Sequence, residues 1–372
     1  MNVLFIGPYR QTDGWGLAAK DYIKSISTVS NIKLSTRPIY LAAANADENF
    51  SDYEILNYEK NHSDNYDLVI QKVLPEHLFY DSRFGKNVGL FTLEISNLSN
   101  TNVIKNINRM DEIWVPSQIE KQSLIASGCI KPIKVISQAL DINKLIPQNK
   151  IIFDNKVDNS FKFYTIGENV FRKNFEDLII SYHLEFNLND NVALIIKTSK
   201  QTKLKELQDF EKNIKSKLGL SKQYKPVIFI TSRLTDQQIL DFHYSCDCFV
   251  SSSYGEAFCR PAAEALCLGK NPIVNKNTGM KDFINDENGF LVNSTKDPVM
   301  VPNNPIHQNK DYYNANQYWY KINKYDLMAN MRKAYNMYTK DNKKWKAKSE
   351  IGIASKNKFN YENIGKLCIQ DI

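Results

Sequence analysis

YGEAFCRPAAEALCLG, Tyr254 to Gly269, sets two glutamates in a run of small and apolar residues. Pro261 suits the first position of a helix, where its missing amide hydrogen is no loss, and Ala262, Ala263, Ala265, Leu266 and Cys267 supply a face that packs on a sheet. The stretch follows CFVSSS, Cys248 to Ser253, an apolar run closed by small polar residues that reads as a buried strand. Strand, short loop and helix in that order put the first helical amides, near Phe258, Cys259 and Arg260, at the mouth of a crevice where a phosphate is the natural occupant. Glu264, about one turn in, reaches the hydroxyls of a ribose on that phosphate, and Glu256 stands on the other side, where a donor group is held. A lone acid in a first turn also complements the helix dipole, and a loop glutamate is commonly a solvated one. The combined order, in which Gly269, NPIV and TGMKDFINDENGFLV follow the two acids, favours the ligand reading.

Outward from this stretch, strand-like apolar runs alternate with amphipathic helical ones, the pattern of parallel α/β layers. NVLFIG, YDLVIQKVLP, KNVGLFTLE, MDEIWVPS and IKVISQAL supply one open sheet, with GLAAKDYIKSIST as a helix after the first strand. Asp141 to Ser160 is polar and poorly periodic and reads as an interdomain linker. The alternation then restarts with FKFYTIG, VALIIKTS, PVIFITS, CFVSSS, PIVNKN and GFLV as strands, and GMKDFIN as a short helix. A tyrosine- and asparagine-rich loop precedes the helix KYDLMANMRKAYNMYTK, and NYENIGKLCIQ closes the chain as another helix.

The composition, 372 residues with 42% hydrophobic and 24% charged, is that of a globular chain with two cores. No apolar run of spanning length occurs, which predicts a cytoplasmic protein without a transmembrane segment. None of the six cysteines falls in a metal-ligand or redox spacing, which predicts reduced, buried thiols and no metal. The net charge is +7, concentrated at Lys197 to Lys225 and in TKDNKKWKAKSE. Either stretch suits an anionic partner, leaving room for peripheral membrane or nucleic-acid contact, but Glu206, Asp209 and Glu211 interleave the first and suit a solvated helix face.

The stretch from Tyr254 resembles the donor-site signature of glycosyltransferase family 4, retaining enzymes in which two glutamates seven residues apart bracket a nucleotide sugar. MNVLFIGPYRQTDGWGLAAKDYIKSI, MDEIWVPSQIEKQSLIASGCIKPIKVISQALD and FYTIGENVFRKNFEDLIISY extend the resemblance over most of the chain. It implies an α/β protein of GT-B fold: two Rossmann-like domains whose parallel sheets face a central cleft. The expected division is 1–150 on the acceptor side, 151–354 on the donor side, and a C-terminal helix at 355–372 crossing back to the first domain. The resemblance assigns donor phosphates to Phe258, Cys259 and Arg260, the ribose to Glu264, donor-sugar hydroxyls to Glu256, and the departing diphosphate to Lys173 with Arg172 beside it. Two cations at a helix start otherwise oppose its dipole, a conflict that an anionic ligand resolves. Gly14 and Gly16 then form a donor-phosphate and sugar loop, and Glu94 stands near the reacting centre or is simply a buried, hydrogen-bonded acid. Ser117 is a polar contact or a helix cap.

The implied activity is transfer of a hexosyl or pentosyl group from a nucleotide-diphosphate sugar to an acceptor hydroxyl, with retention. No cofactor or metal is needed beyond the donor substrate, and the acceptor is a glycan, a lipid-linked sugar or a modified DNA base. The chain departs from the family's usual Gly-Phe-Gly after the first glutamate, having Ala257, Phe258 and Cys259, and Glu168 stands where an arginine is frequent. A nicotinamide enzyme needs a dinucleotide glycine fingerprint that neither sheet offers. A silent nucleotide-sugar-binding protein of the same fold is the other alternative.

Overall fold

The structure, a computed structural model, describes residues 1–41, 46–99, 101–199, 203–219, 224–300 and 312–370. Along the chain run β1 (Asn2–Gly7), α1 (Gly14–Ser27), β2 (Lys33–Pro38), α2 (Tyr53–Lys60), β3 (Leu68–Lys72), β4 (Asn87–Leu90), α3 (Asn102–Ile107), β5 (Glu112–Val115), α4 (Gln118–Ala126) and β6 (Ile133–Val135). Next come α5 (Asn155–Asp158), β7 (Phe161–Ile166), α6 (Phe175–Glu185), β8 (Val192–Lys197), α7 (Leu204–Leu218), β9 (Val227–Ile230), α8 (Asp236–Ser245), β10 (Cys248–Ser251), α9 (Arg260–Cys267) and β11 (Ile273–Asn275). The chain ends through β12 (Phe290–Val292), β13 (Ser294–Pro298), β14 (Tyr318–Ile322), α10 (Lys324–Lys340), α11 (Asn342–Ala354) and α12 (Tyr361–Ile369).

Two compact units result, one of Met1–Ile142 with Pro298–Tyr318 and Asn357–Ile372, the other of Asn143–Asp297 with Trp319–Lys356. The first carries a parallel sheet in the order β2-β1-β3-β4-β5-β6, the second a parallel sheet in the order β12-β11-β10-β7-β8-β9. Parallel strands buried under helices on both faces need near-continuous apolar runs, and β3, β4 and β8 are buried at every position.

In the first unit, Val3, Phe5, Tyr22, Ile23 and Trp114 form a core that α12 completes with Ile364 and Cys368. Tyr361 Oη donates to Asp21 Oδ1 at 2.8 Å. A Cβ on Gly365 would lie 2.0 Å from the Ser25 carbonyl oxygen, so only glycine lets α12 lie this close to α1. In the second unit, Phe163, Leu178, Leu194, Val250 and Ile273 are joined by Leu327, Met331 and Trp345 from the later helices.

The sequence reading omits β2, whose KLSTRP has only a short apolar signal; as an edge strand paired solely with β1 it tolerates Lys33, Arg37 and Pro38. The expected helix in GMKDFIN is a single 3-10 turn at Gly279–Asp282. The linker segment is tied to α8: Gln148 and Asn149 amides donate to Asp241 Oδ1 at 2.7 and 3.1 Å, and the Ile151 amide to Ser245 Oγ at 2.7 Å. The aromatic tract read as a loop ends in β14, with Trp319 buried beside Phe171 and Tyr254 at ring separations of 6.1 and 6.2 Å. The residues before it, 301–311, lie outside the described residues, as do 200–202 and 220–223 of the first basic stretch. Within that stretch Lys205 pairs with Asp209 at 2.9 Å and Lys215 with Glu211 at 2.6 Å. The six thiols are buried and free, and among the described residues no helix is long and apolar enough to cross a membrane.

Candidate active site

In the second sheet β7 and β10 are neighbours, and the chain leaves β7 toward β8 on one side while β11 lies on the other. Open α/β sheets bind ligands at the carboxyl ends of strands where the order reverses in this way. The two loops there are laced together. Ser252 Oγ donates to the carbonyls of Lys173 and Asn174 at 3.2 and 2.8 Å, and the Tyr254 amide donates to that of Arg172 at 2.9 Å. Asn174, left-handed at φ 52°, caps α6 by accepting from the Asp177 amide, a conformation that asparagine adopts more readily than most residues.

This lacing brings Lys173, Arg172 and Glu256 together. Lys173 Nζ lies 2.6 Å and Arg172 Nη1 3.3 Å from Glu256 Oε1, with the glutamate side chain 4% exposed. Arg172 Nη1 also donates to the Gly255 carbonyl at 2.5 Å. Burial alone would push the Glu256 carboxyl upward, but the Lys173 and Arg172 charges outweigh it and hold the group at about 2. The Lys173 stem runs over Gly167, whose Cβ would sit 3.5 Å from Cδ.

Cys259 heads α9 at φ +69° and ψ 78°, and its carbonyl accepts from the Ala262 and Ala263 amides at 3.0 and 3.3 Å. The chain thus keeps the left-handed turn that a glycine would make without strain. Burial and then the Glu256 charge push the Cys259 thiol up to about 12, so it is a packed group and no nucleophile. Phe258 packs on Phe283 at 5.2 Å, and the Gly279 amide donates to the Glu256 carbonyl at 2.7 Å, fastening the 3-10 turn to the loop.

Glu264 is clasped by Arg260, whose Nε donates to Oε1 at 2.8 Å. His243 Nε2 stands 3.4 Å from Oε2, an electrostatic contact too poorly aligned for a hydrogen bond, while its Nδ1 meets Tyr164 Oη at 2.7 Å. Burial raises the Glu264 carboxyl; Arg260 and then His243 overcome this and hold it below the usual range. Arg260 and His243 join the site through Glu264, and the sequence signal for His243 is only its place on α8, one helix before the glutamate.

In the first unit the expected residues separate into different roles. Asp13 caps α1 by accepting from the Gly16 amide at 2.9 Å. A Cβ on Gly16 would stand 2.1 Å from the Gln11 carbonyl oxygen, whereas one on Gly14 would meet nothing within 4 Å. The close approach at Gly16 is therefore to the protein's own loop. Glu94, half-buried, follows β4 and raises the carboxyl of Glu120 by its charge. Ser117 precedes α4 but makes no capping bond, and its buried Oγ has no partner among the described residues.

Sequence reasoning missed Lys72 and Glu120. Lys72, at the carboxyl end of β3, is 1% exposed, with Nζ 4.8 Å from the Trp15 ring centre and 5.6 Å from that of Tyr22. Burial lowers its ammonium to about 8 against the pull of Glu120 and Asp13. Glu120 Oε1 accepts from the Leu93 amide, Oε2 has no partner among the described residues, and burial pushes its carboxyl well above the usual range. A lysine ending a strand that opens with the apolar Leu68, Val69 and Ile70 was the available signal.

Two open units, each a six-stranded parallel sheet under helices, are the GT-B class of glycosyltransferase fold. Residues 147–301 match the family model described as glycosyl transferases group 1. The crystal structure of Anabaena Alr3699/HepE in complex with UDP-glucose matches over 98% of this chain and 97% of that one, at 16% identity and a TM-score of 0.59. Sucrose-phosphate synthase (tll1590) from Thermosynechococcus elongatus matches over 98% and 96%, at 12% identity and 0.64. A glycosyltransferase from Rickettsia africae ESF-5 matches over 100% and 99%, at 14% identity and 0.63. At these identities the likeness is one of fold. No curated protein matches the sequence.

Proposed function

We propose that the protein transfers a sugar from a nucleoside-diphosphate sugar, a UDP-sugar in the first instance, to an acceptor hydroxyl with retention and without a metal ion. The observation that carries this reading is the pair Lys173 and Arg172 gathered on Glu256 at the entrance of α9, with Glu264 held ionised in that helix. The cations would take the diphosphate, the main chain at Phe258, Cys259 and Arg260 its oxygens, Glu264 the ribose hydroxyls and Glu256 those of the donor sugar. UDP-glucose is the ligand of the Anabaena relative by fold.

Cleavage would break the bond from the anomeric carbon to the diphosphate oxygen, with both electrons leaving on the diphosphate. The positive charges of Lys173 and Arg172 stabilise that developing charge where it forms, which is where electrostatic catalysis is strongest. The acceptor oxygen bonds the anomeric carbon from the same face, and its proton passes to the departing phosphate oxygen. In the first unit Glu94 and Lys72, both close enough to Glu120 to shift its carboxyl, are the candidates for orienting the acceptor hydroxyl, and Gly14 and Gly16 for contacting the donor. The test is incubation with a panel of nucleotide sugars, following nucleoside-diphosphate release and the anomeric configuration of the product. Release from one donor with the original configuration kept supports the proposal; no release from any donor, or inversion, overturns it.

A further inference from the structure

We propose that the second unit carries a separate binding site for a neutral sugar at the amino end of its sheet, opposite the edge that holds Glu256. A cavity of about 380 Å³ opens there, lined among others by Lys150, Asp158, Lys162, Tyr244, Asp247 and Tyr338. That volume lies in the lower part of the range for small-molecule sites, roughly 300–1,000 Å³, and suits a mono- or disaccharide. β7 has six residues, which at about 3.3 Å each separates the cavity from the Lys173 loop by roughly 17–20 Å.

The wall is built rigidly. Lys162, 4% exposed, starts the lining: its Nζ donates to the carbonyls of Ser160 and Asp158 at 2.9 and 3.1 Å, and its amide donates to Asp247 Oδ2 at 2.7 Å. With Nζ 3.7 Å from the same carboxylate, the lysine fixes one oxygen of Asp247. The other oxygen, Oδ1, receives no hydrogen bond from the described residues and is left to accept from a ligand hydroxyl.

Two features select a neutral, polyhydroxylated ligand. Lys150 and Lys162 are balanced by Asp158 and Asp247, so the lining offers no net charge to an anion. Two tyrosines show aromatic surface to solvent, Tyr244 at 55% and Tyr338 at 36% exposure. Tyr244 is braced by Lys270, whose Nζ lies 5.5 Å from the ring centre, and Tyr338 packs at a tilt against Phe161, with ring centres 4.7 Å apart. Aromatic faces beside hydrogen-bonding groups match the apolar faces and equatorial hydroxyls of a sugar ring. For a transferase the site would anchor a glycan away from the reacting end, raising its effective concentration.

The test is a calorimetric and ligand-observed NMR titration with maltose and cellobiose, with glucuronate and inorganic phosphate as charged probes. Wild type is expected to bind at least one neutral disaccharide, and Tyr244→Ala and Asp247→Asn each to weaken it by about tenfold or more, the loss for one good contact. Tyr244 is exposed, so its variant folds even if the other does not. Lys173→Ala should bind the disaccharide normally, which separates this site from the donor reading. Absence of sugar binding, equal binding by wild type and Tyr244→Ala, or preference for phosphate or glucuronate overturns the proposal.

Discussion

Replacing Lys173 by Ala should destabilise the protein in a way that depends on pH. The Glu256 carboxyl stands at about 2 in the fold against an ordinary value of 4.5. Its depression contributes about 3 kcal/mol of stability at neutral pH by linkage. A carboxyl depressed on folding stabilises above its unfolded value and loses that contribution as pH falls, so the window runs from 4.5 down to about 2. Lys173 is the stronger of the two cations acting on it, and Arg172 stays at 3.3 Å in the variant. The expected loss is therefore about 2 kcal/mol at pH 7, below the 3–5 kcal/mol typical when a buried charge loses its only partner. Urea denaturation of wild type and Lys173→Ala between pH 7 and 3 measures this directly. The two curves should converge as Glu256 protonates. An equal gap at pH 7 and pH 3 would refute the reasoning, because the lysine would then be acting through something other than the ionised glutamate.

Three further outcomes follow from the geometry. Cys259→Gly should be more stable than Cys259→Ala by roughly 1 kcal/mol in thermal denaturation, the reverse of the order at an ordinary position, because residue 259 sits at φ +69°. Gly16→Ala should cost more than about 2 kcal/mol through its clash with the Gln11 carbonyl, while Gly14→Ala, with open space around it, should be neutral or gain up to about 1 kcal/mol by the same measurement. Lys72→Met should raise stability by up to about 3 kcal/mol at neutral pH while slowing transfer to the acceptor. The unfolded lysine holds its proton up to 10.5 and the folded one only to about 8, so wild-type stability rises across that interval and the variant's advantage should shrink there in urea titrations.

Much of the architecture is legible in the sequence because buried parallel strands must be near-continuously apolar. Runs such as VALIIK and CFVS stand out without help from tertiary context. The edge strand β2 and the 3-10 turn at Gly279–Asp282 escape because neither buries a continuous apolar run. In the candidate site, the spacing of Glu256 and Glu264 and the basic pair at 172 and 173 were readable as local patterns. The pairing of Lys173 with Glu256 was not, since the two are joined only by the contact of loops 83 positions apart. Nor were the partners of Glu264, because Arg260 lies next to a proline-headed helix start and His243 arrives from a different helix. The tight packing of Gly16 on the Gln11 main chain is likewise a contact that no local pattern in the sequence shows. Lys72 and Glu120 are hidden for a related reason: a polar residue at the end of a strand or in an amphipathic helix shows its burial only when the layers close over it.

The central claim is that the Lys173, Arg172, Glu256 and Glu264 group receives a nucleoside diphosphate. Titration of UDP into wild type, Lys173→Ala and Glu264→Ala by calorimetry tests it most directly. The account predicts binding by wild type and a loss of about tenfold to a hundredfold in each variant, the worth of one charge-assisted contact. Binding of UDP with equal affinity by all three folded proteins would contradict it.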